Sequence, residues 1–488
     1  MEDRLAQVPS VDTFRLSDEV LEFLAKSSKD SFQLEQKKPT EVTRQFTTSI
    51  DHENNHIDAR ADRYQNKIRK GHHQACRRGF TVDGQVTRSQ GRIAKLATTN
   101  SLSFVGKTVG SIKIVGRDDP TQAETQRAQK VLEILQGLMD LQHDNPWVQL
   151  VFFSSPRDDF QWPSAWTEEA NDAGMVRFHA DRVTRPLNPS QTKAVKQMLQ
   201  QSNDGRLTTT VIASFVQTAL AGGLSGIWLI AQSNVAVKNI AEKLTDFGLT
   251  NWKLLVSTEF FDDWHEHLYA NIRANIITSE DFSAPGFFKE LQTTPVILCT
   301  LSMLSSFALR RFGGFTAAPL RTLVIDEASQ IEIGDYIPLF TSHTSIRKVC
   351  FIGDDKQLPP YGQDDIQDLK SIFEVKHLKD HAIFLDTQYR MPPQIGKFIS
   401  EAVYDCVLKS DPLHPVTDER MACHFINIPS QEQLHGTSWK NLGECQTILR
   451  IASMLQEKNK QFRIITPYDA QRSLIEEGFK AQGARLGG

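Results

Sequence analysis

The chain has few cysteines, and their spacing suits neither a disulfide bridge nor a metal site. Its 488 residues include six, which lie far apart: Cys76, Cys299, Cys350, Cys406, Cys423 and Cys445. Because no C-x-x-C pair occurs, the sequence predicts neither a disulfide framework nor a zinc site. Reduced thiols are typical of intracellular proteins, so we expect an intracellular chain, in the nucleus or the cytoplasm.

Long apolar runs are also scarce. Residues 1–10 carry charges and lack the apolar core of a secretory signal or an anchor. The one long uncharged run, residues 208–237, could span a bilayer by its length, but threonine, glutamine and glycine residues interrupt it. This run therefore predicts a buried helix, a loop and a buried strand, and we expect no membrane partner.

An overall excess of positive charge is missing as well. The formal net charge of -4 excludes the global basic character that many nucleic-acid-binding proteins show. The most basic stretch is residues 58–95, where ten lysines and arginines stand against three aspartates. A solvated charged face and a surface that contacts phosphates both fit this stretch.

The pattern along the chain indicates three parts. Residues 1–180 predict an accessory region of mixed structure, with helical pieces up to about residue 58, small strands in 80–115, a helix in 122–141 and a strand in 147–153. From residue 181 onward, β-branched apolar runs alternate with helical stretches, which is typical of a parallel sheet. The predicted strands are 226–231, 295–300, 322–325, 348–352 and 462–465. We place one domain at 181–380 and another at 381–488.

Two adjacent carboxylates end one of these predicted strands, in the sequence L-V-I-D-E-A-S-Q. They are Asp326 and Glu327. Phosphoryl transfer from a nucleotide needs one carboxylate to hold Mg²⁺ and another group to position or deprotonate the attacking water. On its own the pair also fits a solvated strand end.

Further motifs follow in a fixed order. The chain reads G-D-D-K-Q-L-P-P from Gly353 and then Q-Y-R-M-P-P from Gln388. Together with D-E-A-S-Q, this order resembles the superfamily 1 helicases related to the nonsense-mediated-decay helicase, senataxin and aquarius. Four more segments resemble motifs of that family: L-N-P-S-Q ending at Gln191, A-Q-S-N-V-A-V starting at Ala231, L-C-T-L around Thr300, and I-I-T-P-Y ending at Tyr468.

The resemblance implies an α/β fold with a RecA-like parallel sheet of the P-loop NTPase type, a partial second RecA-like domain and an accessory amino-terminal region. It implies an ATP-dependent helicase that uses ATP and Mg²⁺ and moves on single-stranded RNA or DNA. By the same resemblance, Asp326 binds Mg²⁺, Glu327 activates water, Gln357 senses the γ-phosphate and Arg390 reaches it from the second domain. Gln191 and Tyr389 would contact the adenine, and Ser233, Asn234 and Thr300 would contact the nucleic acid.

The family's phosphate loop, G-P-P-G-T-G-K-T, is missing. It should lie between Gln191 and Ala231, where the chain reads N-D-G-R-L-T-T-T-V-I-A-S from Asn203. Its backbone N–H groups and its lysine normally hold the phosphates, so we predict that this chain is inactive as an ATPase. Two later family motifs are also expected after Arg472 and do not occur. Three explanations stay open: a working helicase that has lost pieces, a decayed paralogue, or a pseudo-helicase that binds nucleic acid or protein.

Overall fold

The computed structural model describes most of the chain. The described residues are 16–38, 41–45, 47–51, 56–61, 72–77, 80–90, 92–98, 111–115, 120–139, 146–153, 163, 166, 185–199, 209–262, 265–366, 368–380, 382–416, 418, 423–435 and 438–481. They form two compact units: Met1–Thr387 with Val403–Leu408, and Gln388–Ala402 with Lys409–Gly488.

The first unit begins with a helix and an antiparallel sheet. Helix α1 (Asp18–Lys37) is followed by strands β1 (Glu41–Gln45), β2 (Thr47–Asp51), β3 (His56–Arg60), β4 (His72–Arg77), β5 (Phe80–Gln90), β6 (Ile93–Thr98) and β7 (Ser111–Val115). The seven strands pair in the order β1-β7-β4-β5-β6-β3-β2. Strands predicted in 80–115 are confirmed. Helical pieces predicted up to residue 58 are confirmed only for α1, because the residues after it pair as strands.

A second sheet, of six parallel strands, follows. Its strands are β8 (Ile227–Ala231), β9 (Trp252–Val256), β10 (Ile276–Thr278), β11 (Val296–Thr300), β12 (Thr322–Asp326) and β13 (Lys348–Phe351). They pair in the order β10-β9-β11-β8-β12-β13. Four of the predicted strands are thus confirmed, as is the α/β, RecA-like architecture, whereas β9 and β10 were not predicted.

Helices cover both faces of this parallel sheet. On one face, α1, α2 (Gln122–Leu135), α3 (Pro146–Phe152) and α12 (Ile337–Ser342) share a core with Trp228, Ile230 and Ile325. On the other face, α4 (Pro189–Leu199), α5 (Thr209–Ala221) and α6 (Asn234–Asp246) share a core with Ile227 and Leu229. Because both faces are buried, the strands have no polar alternation. Shorter helices lie between the strands: α7 (Thr258–Phe261), α8 (Phe287–Gln292), α9 (Leu301–Leu304), α10 (Phe307–Arg311), α11 (Gly314–Ala317) and, after β13, α13 (Lys376–Lys379).

The strand predicted at 147–153 is wrong, because this segment is helix α3. Pro146 occupies its first position, where a missing N–H costs nothing, and Trp147, Val148 and Val151 are buried at helical spacing. The helix predicted at 122–141 is confirmed but ends at Leu135. Gly137 there adopts a left-handed φ of 69°, which terminates the helix.

The uncharged run from 208 to 237 contains α5, a loop and strand β8, as predicted, and its end is the start of α6. Gly226, which precedes β8, has a φ of 69°, and a Cβ atom there would lie 2.5 Å from the Pro319 carbonyl oxygen. Among the described residues, no helix is long and apolar enough to cross a membrane. Residues 200–208, where the family's phosphate loop was expected, lie outside the described residues.

The second unit is small. It contains most of α14 (Pro393–Val403), the short strand β15 (Lys409–Ser410), the hairpin of β16 (Gln433–His435) and β17 (Ser438–Lys440), and helices α15 (Leu442–Glu457) and α16 (Asp469–Ala481). Strand β14 (Thr387–Gln388) lies where the chain passes from the first unit to the second. A core of Cys445, Leu449, Ala452, Ile475 and Phe479 joins the last two helices.

The strand predicted at 462–465 is wrong. The segment has no regular structure, and Ile465 is 86% exposed. A strand is held by hydrogen bonds to a neighbouring strand, and no described strand of the second unit pairs with this segment.

Candidate functional site

Three strand ends meet at the carboxyl edge of the parallel sheet. In the register of β8, β11 and β12, Ala231 lies opposite both Thr300 and Asp326. Neighbouring strands are about 4.8 Å apart, so Thr300 and Asp326 are separated by about 10 Å across this edge. Ligands of open α/β sheets bind at such an edge, which makes it the candidate site.

The carboxylate pair lies at the centre of this edge. Asp326 is buried, and its Oδ1 accepts a hydrogen bond of 3.0 Å from the Glu327 backbone N–H. Glu327 adopts a left-handed φ of 53°, which costs a non-glycine residue about 1–2 kcal/mol. Its Oε2 accepts a hydrogen bond of 3.3 Å from Gln330. The strand thus ends in a strained turn that carries two neighbouring carboxylates, and such strain is common at functional sites.

The loop after β13 packs directly against this turn. Ala328 N donates to the Ile352 carbonyl oxygen at 2.7 Å, and a Cβ atom on Gly353 would lie 2.9 Å from Ser329 N and 3.1 Å from Ala328 N. Only glycine permits this close approach. The structure therefore brings the D-E-A-S-Q and G-D-D-K-Q motifs into contact.

Gln357 is held within its own loop. Its Nε2 donates a hydrogen bond of 2.7 Å to Asp354 Oδ2, which also accepts one of 2.5 Å from the Tyr404 hydroxyl. Burial, together with this hydrogen bond, raises the pKa of Tyr404 to about 12. Sequence analysis missed Tyr404 because it lies outside every motif, 50 residues beyond its partner.

Gln191 lies in a closed turn at the start of α4. Its Oε1 accepts a hydrogen bond of 3.1 Å from Asn188 N, and its own N–H donates one of 2.8 Å to Asn188 Oδ1. The Ser190 hydroxyl lies 2.9 Å from Asp386 Oδ1. The L-N-P-S-Q segment is thereby joined to the residues immediately before Q-Y-R-M-P-P.

Ser233 and Thr300 both cap helices at the candidate edge. Ser233 Oγ accepts a hydrogen bond of 3.1 Å from Ala236 N at the start of α6, and Thr300 Oγ1 accepts one of 3.1 Å from Met303 N. Ser233 is exposed and Asn234 is half-buried, whereas Thr300 is buried. Capping explains the two hydroxyls structurally. The amino terminus of a long helix such as α6 also attracts phosphate.

Tyr389 and Arg390 belong to the second unit. Gln388 holds their loop, because its Oε1 accepts hydrogen bonds from Arg390 N at 3.0 Å and Met391 N at 2.7 Å. Its Nε2 donates to Ser410 Oγ at 2.9 Å. Tyr389 is 48% exposed and Arg390 is exposed. Asp326, Glu327, Gln357 and Gln191 all belong to the first unit.

The described edge offers carboxylates of the kind that bind Mg²⁺, whereas the sequence lacks the loop that normally holds a nucleotide's phosphates. A carboxylate such as that of Asp326 is the kind of oxygen ligand that Mg²⁺ takes alongside substrate phosphates. The phosphates themselves require a glycine-rich loop with a lysine. The chain's one G-K-T sequence starts at Gly106, has Ser101 where the loop requires a glycine, and leads into strand β7 instead of a helix. It lies outside the described residues.

Two family models match the chain. Both are described as AAA domain, and they match residues 268–362 and 369–486. Putative ATP-dependent RNA helicase ECM32 of Saccharomyces cerevisiae is 27% identical over 361 residues, 62% of this chain and 31% of that protein. Regulator of nonsense transcripts 1 of Caenorhabditis elegans is 24% identical over 479 residues, 86% of this chain and 43% of that protein. Probable helicase senataxin of Mus musculus is 29% identical over 260 residues, 43% of this chain and 9% of that protein.

The chain belongs to the superfamily 1 helicases of the nonsense-mediated-decay helicase and senataxin type. It spans less than half the length of these relatives. The family model that matches residues 268–362 covers Thr300, the carboxylate pair and Gln357. The model that matches residues 369–486 covers Tyr389 and Arg390.

Proposed function

We propose that this chain binds single-stranded nucleic acid along the carboxyl edge of its parallel sheet and does not turn over ATP. The observation that carries the proposal is an edge with three aligned strand ends in a helicase-family chain whose sequence lacks a phosphate loop. Binding of a nucleic-acid strand needs no phosphate loop, whereas hydrolysis of ATP does.

Strand binding is assigned to the residues that follow β8 and β11. Ser233 and Asn234 at the amino terminus of α6 would receive a backbone phosphate, and Thr300 would lie beside the next one. Backbone contacts of this kind do not separate RNA from DNA.

The residues that the family resemblance assigns to ATP and Mg²⁺ keep those roles only as part of this proposal. Asp326 would hold Mg²⁺, Glu327 would activate water, and Gln357 and Arg390 would contact the γ-phosphate. Gln191 and Tyr389 would contact adenine. Because the sequence lacks the phosphate loop, no catalytic step is assigned to these residues.

The division of the chain is likewise proposed. An accessory region would comprise residues 1–180, a first RecA-like domain 181–380 and a second 381–488. The change from antiparallel pairing in β1–β7 to parallel pairing in β8–β13 supports the first boundary.

Strand binding is tested by fluorescence anisotropy with labelled RNA and DNA of about 20 nucleotides, long enough for a site of 4–16. The variant is Ser233→Glu, because a glutamate at a helix amino terminus suits the helix dipole but repels phosphate. We expect affinity to fall about tenfold at low salt. Ser17→Glu makes the same change at the cap of α1 and should leave affinity unchanged. Equal losses in both variants would contradict the assignment.

ATP turnover is tested by phosphate release with and without single strands. We expect both the wild type and Glu327→Gln to release phosphate only at the background rate. A wild-type rate that Glu327→Gln abolishes would show that the chain hydrolyses ATP without the expected loop. A wild-type rate above background that this variant does not lower would show that the carboxylate is wrongly assigned.

A second candidate, an ATP-dependent helicase that has lost its loop only in this sequence, is favoured by one observation. The motifs on the carboxyl side of the gap are intact, with Asp326, Glu327, Gln357 and Arg390 all present. Sequencing transcripts across codons 205–216 decides between the candidates. A restored G-x-x-x-x-G-K-T segment supports the helicase, and an unchanged sequence supports the binding protein.

A further inference from the structure

The loop that follows β13, residues 353–362, presents two large apolar side chains to solvent. Leu358 is 71% exposed and Tyr361 is 78% exposed. A single exposed side chain is ordinary on a protein surface. Here, however, the pair belongs to the loop that packs against the carboxylate turn at the candidate edge.

This exposure is not the result of a loosely held loop. Asp354 fixes the start of the loop by accepting hydrogen bonds from Lys356 N at 3.0 Å and from the side chains of Gln357 and Tyr404. Pro359 and Pro360 each restrict φ. The sequence thus builds a rigid support for Tyr361.

The end of the loop is fixed as well. Gly362 has a φ of 87°, and a Cβ atom there would lie 2.7 Å from Leu34 Cδ2 of helix α1. The next residue, Gln363, donates from Nε2 to the Leu369 carbonyl oxygen at 2.8 Å and to Glu374 Oε1 at 2.9 Å. Because the chain is fixed on both sides of Tyr361, little backbone entropy is lost when this residue meets a flat ligand.

Ion pairs neutralise two of the acidic side chains around the loop. Asp355 pairs with Lys379 at 2.9 Å, and Asp365 pairs with Lys37 at 2.6 Å. Strand β13 is two strand spacings, about 10 Å, from β8. The loop therefore begins within a few nucleotides' length of the proposed phosphate contacts at Ser233.

We propose that Tyr361 stacks on a base of the bound single strand, with Leu358 beside it as part of the same surface. Base stacking on aromatic rings is tolerant of sequence, because every base has a π-face. The proposal rests on the proposed strand binding and adds a base contact to its phosphate contacts. Tyr361 is a binding residue in this scheme and takes no part in hydrolysis.

The test measures the affinity of Tyr361→Ala and Tyr361→Phe for a single strand by anisotropy. We expect a loss of about 5- to 150-fold for Tyr361→Ala, and affinity close to wild type for Tyr361→Phe, which keeps the ring. Phe32→Ala is the matched control, since Phe32 is a comparably exposed aromatic, 63%, on α1. An abasic strand should reduce the difference between wild type and Tyr361→Ala to less than twofold.

A strand that contains 2-aminopurine reports stacking directly, because stacking quenches its fluorescence. Wild type and Tyr361→Phe should quench it, and Tyr361→Ala should not. Equal affinity and equal quenching in wild type and Tyr361→Ala would overturn this inference alone, and would leave the ring as a contact for a protein partner. A wild-type chain that binds no strand at all would refute the proposed function, and the stacking with it.

Discussion

Replacing Arg127 should destabilise the first unit more than any surface charge change. Arg127 lies on α2, buried, with Nη1 at 2.5 Å from Glu332 Oε2 and 3.0 Å from Asp335 Oδ1. Its Nη2 donates to the Ser27 carbonyl oxygen and hydroxyl of α1. Gly334 makes room for it, since a Cβ atom there would clash with the guanidinium. This one side chain joins α1 and α2 to the residues that follow the carboxylate turn.

The variant Arg127→Met keeps the aliphatic stem and removes the charge. It leaves the buried Glu332 carboxylate without its counter-ion, and breaking a buried pair in this way costs about 3–5 kcal/mol. The control Lys379→Met removes a surface pair with Asp355 and should cost about 0–1 kcal/mol.

Urea unfolding followed by tryptophan fluorescence measures this difference, because six of the seven tryptophans lie in the first unit. With a slope of about 3 kcal/mol per molar urea, the midpoint should fall by about 1 M or more. Equal midpoints for Arg127→Met and Lys379→Met would refute the reasoning.

The loss of unfolding free energy in Arg127→Met should also depend on pH. Burial raises the pKa of Glu332 and of Asp335, and Arg127 opposes both shifts, so its removal raises each pKa further. A carboxyl whose folded pKa exceeds its unfolded pKa stabilises the fold only at low pH, and that stability is lost as pH rises through the folded pKa. The deficit of Arg127→Met should therefore be larger at about pH 8 than at about pH 4.5, by about 1.4 kcal/mol for each pKa unit.

Three further substitutions test the carboxylate turn by thermal unfolding. Gly353→Ala should cost about 1–3 kcal/mol, because its Cβ meets two backbone nitrogens, whereas Gly286→Ala, whose Cβ meets nothing within 4 Å, should cost far less. Glu327→Gly should raise stability by about 1 kcal/mol, since glycine adopts the left-handed φ without strain, and a lower melting temperature would contradict this. Ser329→Ala should be neutral or stabilising by about 1 kcal/mol, because its buried hydroxyl has no hydrogen-bond partner among the described residues; a clear loss would point to a partner.

Local pattern predicted four strands of the parallel sheet, because each is a continuous apolar run that stops at polar residues. The parallel arrangement then placed Ala231, Thr300 and Asp326 at one edge. Strands β9 and β10 have no motif at their ends and were missed. The contact of Gly353 with the carboxylate turn follows from the packing of neighbouring loops, which no local pattern encodes.

Two errors show where composition is insufficient. The segments 147–153 and 462–465 are both short and apolar, and both read as strands. The first is a helix because its buried side chains follow helical spacing, and the second stays irregular because no described strand pairs with it. A strand is decided by its neighbour, which can be hundreds of residues away.

The helices that cover one face of the parallel sheet have a consequence for biosynthesis. Leu24 of α1 shares its core with Phe351 of β13, which leaves the ribosome about 330 residues later. At a translation rate of about 5–20 residues per second, the apolar side of α1 stays unburied for roughly 15–65 s until that surface is made. We expect the nascent chain to depend on chaperones during this interval, and its yield to fall when translation of residues 38–351 is slowed.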